Sequence, residues 1–252
     1  MGSCPVKSLF AKAYERMAGF MAKSYKRSYA QCGEDLIIQF IFESLKISKP
    51  TYLDIGAHHP IWLSNTYLFY ENGSSGVCVE ADPDCHAAIR RKRKRDICLN
   101  IGIGVDGRKH ADFFIMTSRT LNTISREEAQ RCQNTLVFGD QKIERIIQIP
   151  MRSIDEVMIE HFPKGANLVS LDVEGMDFDI LRSLNFGRFR PEVFCVETLR
   201  CQDDGSLRKI DGLLAFMKGT GYRVYADTYI NTIFVSEQAM AVLEYSRERQ
   251  SR

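Results

Sequence analysis

Between residues 51 and 101, three short apolar runs alternate with two helical patterns, and the connections between them are only a few residues long. The runs are 51–55, 76–80 and 96–101. Parallel strands cannot be joined by a hairpin and need a crossover, so this alternation predicts a parallel sheet with helices on both faces. Local punctuation agrees with it. Ser64 or Asn65 can cap a helix through about Glu71, stopped at Asn72-Gly73. Asp82-Pro83 reads as an N-cap followed by a proline at the first helical position, opening a helix to about Arg95. The alternation resumes with a strand at 168–172, a helix at 177–184, a strand at 193–197 and a helix at 206–218. A hairpin of 222–226 with 232–235 finishes the sheet. Between the two halves lies an insertion, about 103–166, expected over one end of the sheet. It holds extended pieces at 111–116 and 146–151 and helices at 125–134 and 153–161.

Residues 5–27 form a basic amphipathic stretch ahead of this domain, and a helix at 33–45 follows with Leu36, Ile37, Phe40, Ile41 and Leu45 apolar. The expected organisation is an N-terminal helical extension (1–27), one domain (28–243) and a charged, frayed tail (244–252). A chain of 252 residues suits one such domain. Its net charge of +2 gives no general attraction to nucleic acid or membrane. None of the eight cysteines stands in a Cys-x-x-Cys pair, so neither a zinc site nor a secreted disulfide framework is expected. No apolar run approaches the ~20 residues of a membrane span, and residues 1–9 hold no signal-peptide core. The expected location is the cytoplasm.

In open α/β sheets, ligands bind beyond the carboxyl ends of the strands. Here those ends carry Asp54, Glu80, Asn100, Asp172 and Glu197. The first loop, 53–60, places an acid where a dinucleotide site would have its first glycine, and a carboxylate there repels a pyrophosphate. The same carboxylate suits an ammonium, and Gly56 lets backbone approach a ligand closely. Glu80 can accept both hydroxyls of a ribose. Asn100 and Ile101 stand where an adenine edge and face would lie. The pattern suits a nucleoside with a cationic amino-acid tail and no phosphates, of which S-adenosylmethionine is the common example.

Several segments then carry a family likeness: Gln31-Cys32-Gly33-Glu34-Asp35, Asp54-Ile55-Gly56-Ala57, Ser64-Asn65-Thr66, Glu80-Ala81-Asp82-Pro83 and Asp172-Val173-Glu174-Gly175. Over about residues 28–236 the chain resembles the FkbM-type methyltransferases. The resemblance implies the class I methyltransferase fold, a Rossmann-like, mostly parallel seven-stranded sheet with an antiparallel last strand. It implies an O-methyltransferase acting on a hydroxyl of a sugar, glycan or natural-product-type small molecule, with S-adenosylmethionine as cofactor. Asp54, Gly56, Ala57, Glu80, Ala81, Asn100, Ile101 and Asp172 would contact the cofactor, with Gln31 and Glu34 near its methionine end. Pro60 departs from the family pattern where many class I enzymes have a further glycine.

Methyl transfer to an alcohol needs alignment and a proton acceptor. Asp172 is the expected base or acceptor-orienting group, with Glu174 and His58 as further candidates and His59 beside them. His58, Asp172, Glu174 and Glu197 offer metal-ligand types, but no metal is assigned. Arg119, Asn122 and Thr123 are candidate acceptor contacts on a lid. The six consecutive cations at 90–95 read as a solvated helix end, with RNA phosphates as the functional alternative. The N-terminal stretch docks on its own domain or touches a membrane surface. An RNA methyltransferase and a non-catalytic S-adenosylmethionine-binding protein stay open as other functions.

Overall fold

A computed structural model of the chain describes residues 25–250 except 136, 138 and 203. The amphipathic stretch at 5–27 lies outside the described residues but for Tyr25, Lys26 and Arg27, which are not helical.

The chain builds strands β1 (Tyr52–Ile55), β2 (Gly76–Val79), β3 (Ile97–Leu99), β4 (Gly102–Ile103), β5 (His110–Met116), β6 (Ile143–Arg152), β7 (Leu168–Leu171), β8 (Val193–Glu197), β9 (Leu199–Cys201), β10 (Leu207–Lys209), β11 (Tyr222–Asp227) and β12 (Asn231–Ser236). Its helices are α1 (Glu34–Ser44), α2 (Tyr67–Glu71), α3 (Pro83–Lys92), α4 (Arg126–Asn134), α5 (Ile154–His161), α6 (Asp177–Ser183), α7 (Leu213–Gly219) and α8 (Glu237–Gln250). Seven strands form the main sheet in the order β11-β12-β8-β7-β1-β2-β3. Only β12 runs against its neighbours β8 and β11, and the pairs from β8 to β3 are all parallel. The expected sheet is therefore present, with the last strand inserted one place in from the edge.

Strand periodicity sorts the core into two layers. Leu53, Ile55, Val77, Val79, Val169, Leu171, Phe194 and Val196 pack with Ile154, Val157, Met158, Ile180, Leu181, Leu213 and Met217 from α5, α6 and α7. Tyr52, Leu168, Val193, Cys195, Ile233 and Val235 face the other way, onto Ile38, Ile41 and Phe42 of α1, residues 67–70 of α2, and Ala239 and Leu243 of α8. The order of strands reverses at β1 and β7, which start adjacent and lead away in opposite directions, so the ligand crevice of this topology lies above their carboxyl ends.

Three expectations change. The helix at 206–218 is instead strand β10, paired antiparallel with β9, followed by the shorter α7. Gly205 at φ 78° turns that hairpin and Gly212 at φ 79° starts the helix, so the left-handed glycines cut the apolar pattern in two. The tail expected from 244 continues as helix to Gln250, the end of α8, whose Ala239 and Leu243 are buried. The helix at 153–161 belongs to the main core and not to the insertion, and its Ser153–Glu156 capping box fixes its start. What lies outside the main sheet is the three-stranded sheet β4-β6-β5 with α4 and the hairpin β9-β10.

Smaller shifts follow the same logic. In α1 the buried side is Ile38, Ile41 and Phe42, while Phe40 is exposed. Helix α3 ends at Lys92 because Arg93 leaves helical geometry and turns inward.

Candidate active site

Above the carboxyl ends of β1, β2, β7 and β8 lies a cavity of about 350 Å³. Its floor is the first loop, and Gly56 is central to it. Gly56 has φ 81°, and a Cβ built on it would sit 1.7 Å from the carbonyl oxygen of Asp172. The glycine thus lets the end of β7 close against β1, while the Gly56 and Ala57 N–H groups donate to Val79 O.

Glu80 stands at the end of β2, buried, and receives the His58 N–H on one oxygen and the Asp82 N–H on the other, each at 2.7 Å. Burial pushes its carboxyl up to about 7, against those two donors, with Asp82 and Asp54 adding repulsion. Asn100 braces this corner from just beyond β3, its amide donating to Glu80 O and Ala81 O.

Asp54 points elsewhere. It shares the strand face of Tyr52, accepts from Thr66 Oγ1, and lies 3.7 Å from the Arg93 guanidinium. Arg93 is fully buried and also bonds Asp96 at 2.7 Å, Tyr52 OH at 3.1 Å and Thr66 Oγ1 at 2.8 Å. Its neighbours Arg90, Arg91, Lys92, Lys94 and Arg95 are exposed. The basic run is therefore not uniformly solvated: one of its members is an internal counter-charge for Asp54 and Asp96.

The far wall is acidic. Asp172 follows β7, Glu197 ends β8, and Glu174 is carried back toward them by a left-handed backbone at φ 50°, followed by Gly175 at φ 92°. One carboxylate oxygen from each of Asp172, Glu174 and Glu197 lies within 4.8 Å of the others. Burial raises all three, Asp172 to about 6, with Glu174 and Glu197 well above the usual carboxylate range. Asp177, at the start of α6, is buried and also raised to about 7 by burial and by Asp172. Its Oδ1 accepts the Val173 N–H, while Oδ2 has no hydrogen-bond partner.

The insertion closes the mouth. Asp82, which caps α3 through the Asp84 N–H, also receives Asn122 Nδ2 at 2.9 Å and Arg119 Nη1 at 3.3 Å. Thr123 Oγ1 donates to Glu174 O at 2.8 Å. The turn 119–123 is thus strapped across the cavity from α3 to the loop after β7. Behind it, Glu128 of α4 is buried and holds Arg131 and Arg200.

Of the residues singled out in the sequence, Gln31, Gly56, His58, Glu80, Ala81, Ile101, Asp172 and Glu174 line the cavity, as do Arg119, Asn122, Thr123 and Glu197. Asp54, Ala57 and Asn100 support it from behind. Glu34 is buried against Thr228, Asn231 and the Cys32 N–H. The two histidines separate: His59 Nδ1 accepts the Ile61 and Trp62 N–H groups, whereas His58 faces the cavity and is held below its ordinary value by burial and by His59. Sequence reasoning missed Arg93, Asp177 and Glu128. A cation within a cationic run gives no sign of burial, and the acids sit in helices where exposed acids are ordinary.

A profile of the methyltransferase FkbM domain matches residues 54–224. The chain belongs to the FkbM methyltransferase family. This FkbM chain is a methyltransferase that uses S-adenosylmethionine as its methyl donor. No curated protein matches it. Among solved structures it is similar to a TehB-like SAM-dependent methyltransferase from Corynebacterium glutamicum, with 10% identity, 91% of this chain and 99% of that one covered, and a TM-score of 0.36. A putative hemolysin from Streptococcus thermophilus aligns at 12% identity, 90% and 77% coverage and a TM-score of 0.41. A Burkholderia thailandensis 1,6-didemethyltoxoflavin-N1-methyltransferase, solved with 1,6-didemethyltoxoflavin and S-adenosylhomocysteine, aligns at 10%, 91% and 85%, and 0.38. These likenesses are remote, and the family assignment rests on the profile match. Among the described residues no helix is long and apolar enough to cross a membrane. All seven cysteines there are free thiols.

Proposed function

We propose that this FkbM methyltransferase methylates a hydroxyl of a sugar, glycan or natural-product-type small molecule. The observation that carries the proposal is the convergence of Asp172, Glu174 and Glu197 on one side of a small, strapped cavity whose other side presents Glu80. Glu80 takes the ribose of the donor, and the adenine lies toward Ile101. The sulfonium methyl group points at the acidic wall. A hydroxyl oxygen attacks the methyl carbon; the O–C bond forms as the C–S bond breaks, and sulfur keeps the electron pair as a neutral thioether. Catalysis here is mostly alignment. The hydroxyl proton needs an acceptor as the bond forms, and Asp172 or Glu174 supplies it or orients the acceptor.

Calorimetry with S-adenosylmethionine and S-adenosylhomocysteine tests donor binding. Glu80→Ala should weaken both by roughly 10- to 100-fold, the loss of one or two hydrogen bonds to a charged group. Incubation with labelled donor and a panel of sugars and polyols tests the acceptor class. Labelled ether products support the proposal; methylation confined to amines or to RNA overturns it.

A further inference from the structure

We infer that Asp172, Glu174 and Glu197 form a binding site for one hard divalent cation of the magnesium or manganese class.

The geometry supplies the ligands. Asp172 and Glu197 follow paired positions of the parallel strands β7 and β8, Leu171 opposite Val196, so two carboxylates stand side by side at the strand ends. Glu174 returns to the same point, and one oxygen from each of the three falls within 4.8 Å of the others. Asp172 and Glu197 are hydrogen-bonded to each other, so without an ion they share a proton, and a bound cation would take its place. No lysine or arginine forms an ion pair with any of the three among the described residues. Arg131 and Arg200 are both engaged by Glu128, and Lys209 by Asp227.

A second observation points to a bound species in the same place. Asp177 lines this cavity, is 1% exposed, and leaves Oδ2 without a hydrogen-bond partner. A buried carboxylate oxygen without a partner is costly. A water on a cation held by the three neighbours would donate to it. The cations already on the cavity wall are engaged elsewhere, Arg119 by Asp82 and Arg200 by Glu128, and the methyl donor's ammonium, sulfonium and carboxylate add only one net positive charge.

The donor set selects the ion. Three carboxylates with no nitrogen or sulfur suit magnesium, manganese or calcium and not zinc. His58 lies on the first loop and is not one of the grouped ligands. This revises the metal-free expectation from sequence. Three protein ligands leave positions open for water or for an oxygen of the acceptor. That last role rests on hydroxyl methylation, whereas binding of the ion does not.

The test uses the full chain, stripped with EDTA and desalted, with no methyl donor present. Electron paramagnetic resonance of added manganese(II) should show one tight site per chain, displaced by magnesium, with a raised Tm. Glu174→Gln and Glu197→Gln should each weaken manganese binding at least tenfold while circular dichroism stays native; two variants are used so that misfolding of one leaves the other to decide. Asp204→Asn, an exposed acid elsewhere, should leave binding unchanged. Absence of a stoichiometric site in the wild-type chain, or wild-type affinity in both folded variants, overturns the inference. Donor calorimetry repeated in EDTA keeps the two proposals apart. If S-adenosylmethionine binds and manganese does not, the cation site alone is wrong. If manganese binds without donor binding, the cation site stands and the placement of the donor falls.

Discussion

Arg93 shows how little the local sequence says about a residue's work. It is the fourth of six consecutive cations, yet it alone is fully buried, between Asp54 and Asp96 and against the rings of Tyr52 and Tyr70. Removing one partner of a buried ion pair leaves the other uncompensated, at a cost of about 3–5 kcal/mol. Arg93→Ala should therefore lower urea-denaturation stability by that amount. Arg90→Ala and Arg91→Ala, at exposed positions, should stay within about 0.5 kcal/mol. Equal effects from all three would show the buried network to be wrong. Gly56 makes a similar point. Its missing side chain is filled by the Asp172 carbonyl, so Gly56→Ala forces β1 and β7 apart and should cost at least ~2 kcal/mol. A drop in Tm of roughly 5 °C or more measures it.

At the scale of elements, the strap 119–123 and helix α8 matter most. Asn122 ties the strap twice, accepting the Met116 N–H at 2.8 Å and donating to Asp82. Asn122→Ala should speed amide exchange of Met116 and its strap neighbours roughly five- to tenfold, the equivalent of about 1 kcal/mol for a lost hydrogen bond. Unchanged exchange would mean the strap is held by other contacts. Helix α8 meets β11, β12 and α1 through buried Ala239 and Leu243. Leu243→Ala should cost about 2–4 kcal/mol; a loss within about 0.5 kcal/mol would show that α8 does not pack there.

At the scale of the whole molecule, the buried acids set how stability follows pH. Burial pushes Glu80 up to about 7 in the folded chain, against an ordinary 4.5; the His58 and Asp82 amides donate to it, and the charges of Asp82 and Asp54 add repulsion. A carboxyl raised on folding stabilises the protein fully below its unfolded value. That contribution is lost as pH rises from about 4.5 through about 7. For Glu80 alone it is about 3 kcal/mol. The ligand-free protein should therefore melt lower at pH 8 than at pH 5.5, and Glu80→Gln should flatten the dependence. A melting temperature that climbs over this interval would contradict the burial of Glu80.

The sheet was legible because parallel strands covered on both faces read as apolar runs, and Asp82-Pro83 and Asn72-Gly73 marked helix ends in local chemistry. The cavity side of the site was legible too, since strand ends gather wherever the sheet closes; Glu80, Asp172 and Glu197 are there for that reason. What escaped depends on which way a side chain turns or a chain segment folds back. Asp54 faces Arg93 rather than the cavity because β1 alternates and Asp54 shares a face with Tyr52. Residues 207–209 carry apolar spacing that fits a helix, but the left-handed Gly205 and Gly212 commit them to a hairpin. Asp177 and Glu128 looked like ordinary helix acids, and only tertiary packing buries them.

The placement of β12 between β8 and β11 has a consequence for synthesis. Until residues 231–236 are available to pair, the outer edge of β8 has no partner, although every residue of the acidic wall precedes them in the sequence. That bare edge is open to pairing with another chain. Asn231 and Thr228 also complete the hydrogen bonds of Glu34, nearly 200 residues earlier. Assembly of this end of the domain thus waits on its final hairpin, and stalling of translation in the preceding turn is where aggregation should begin.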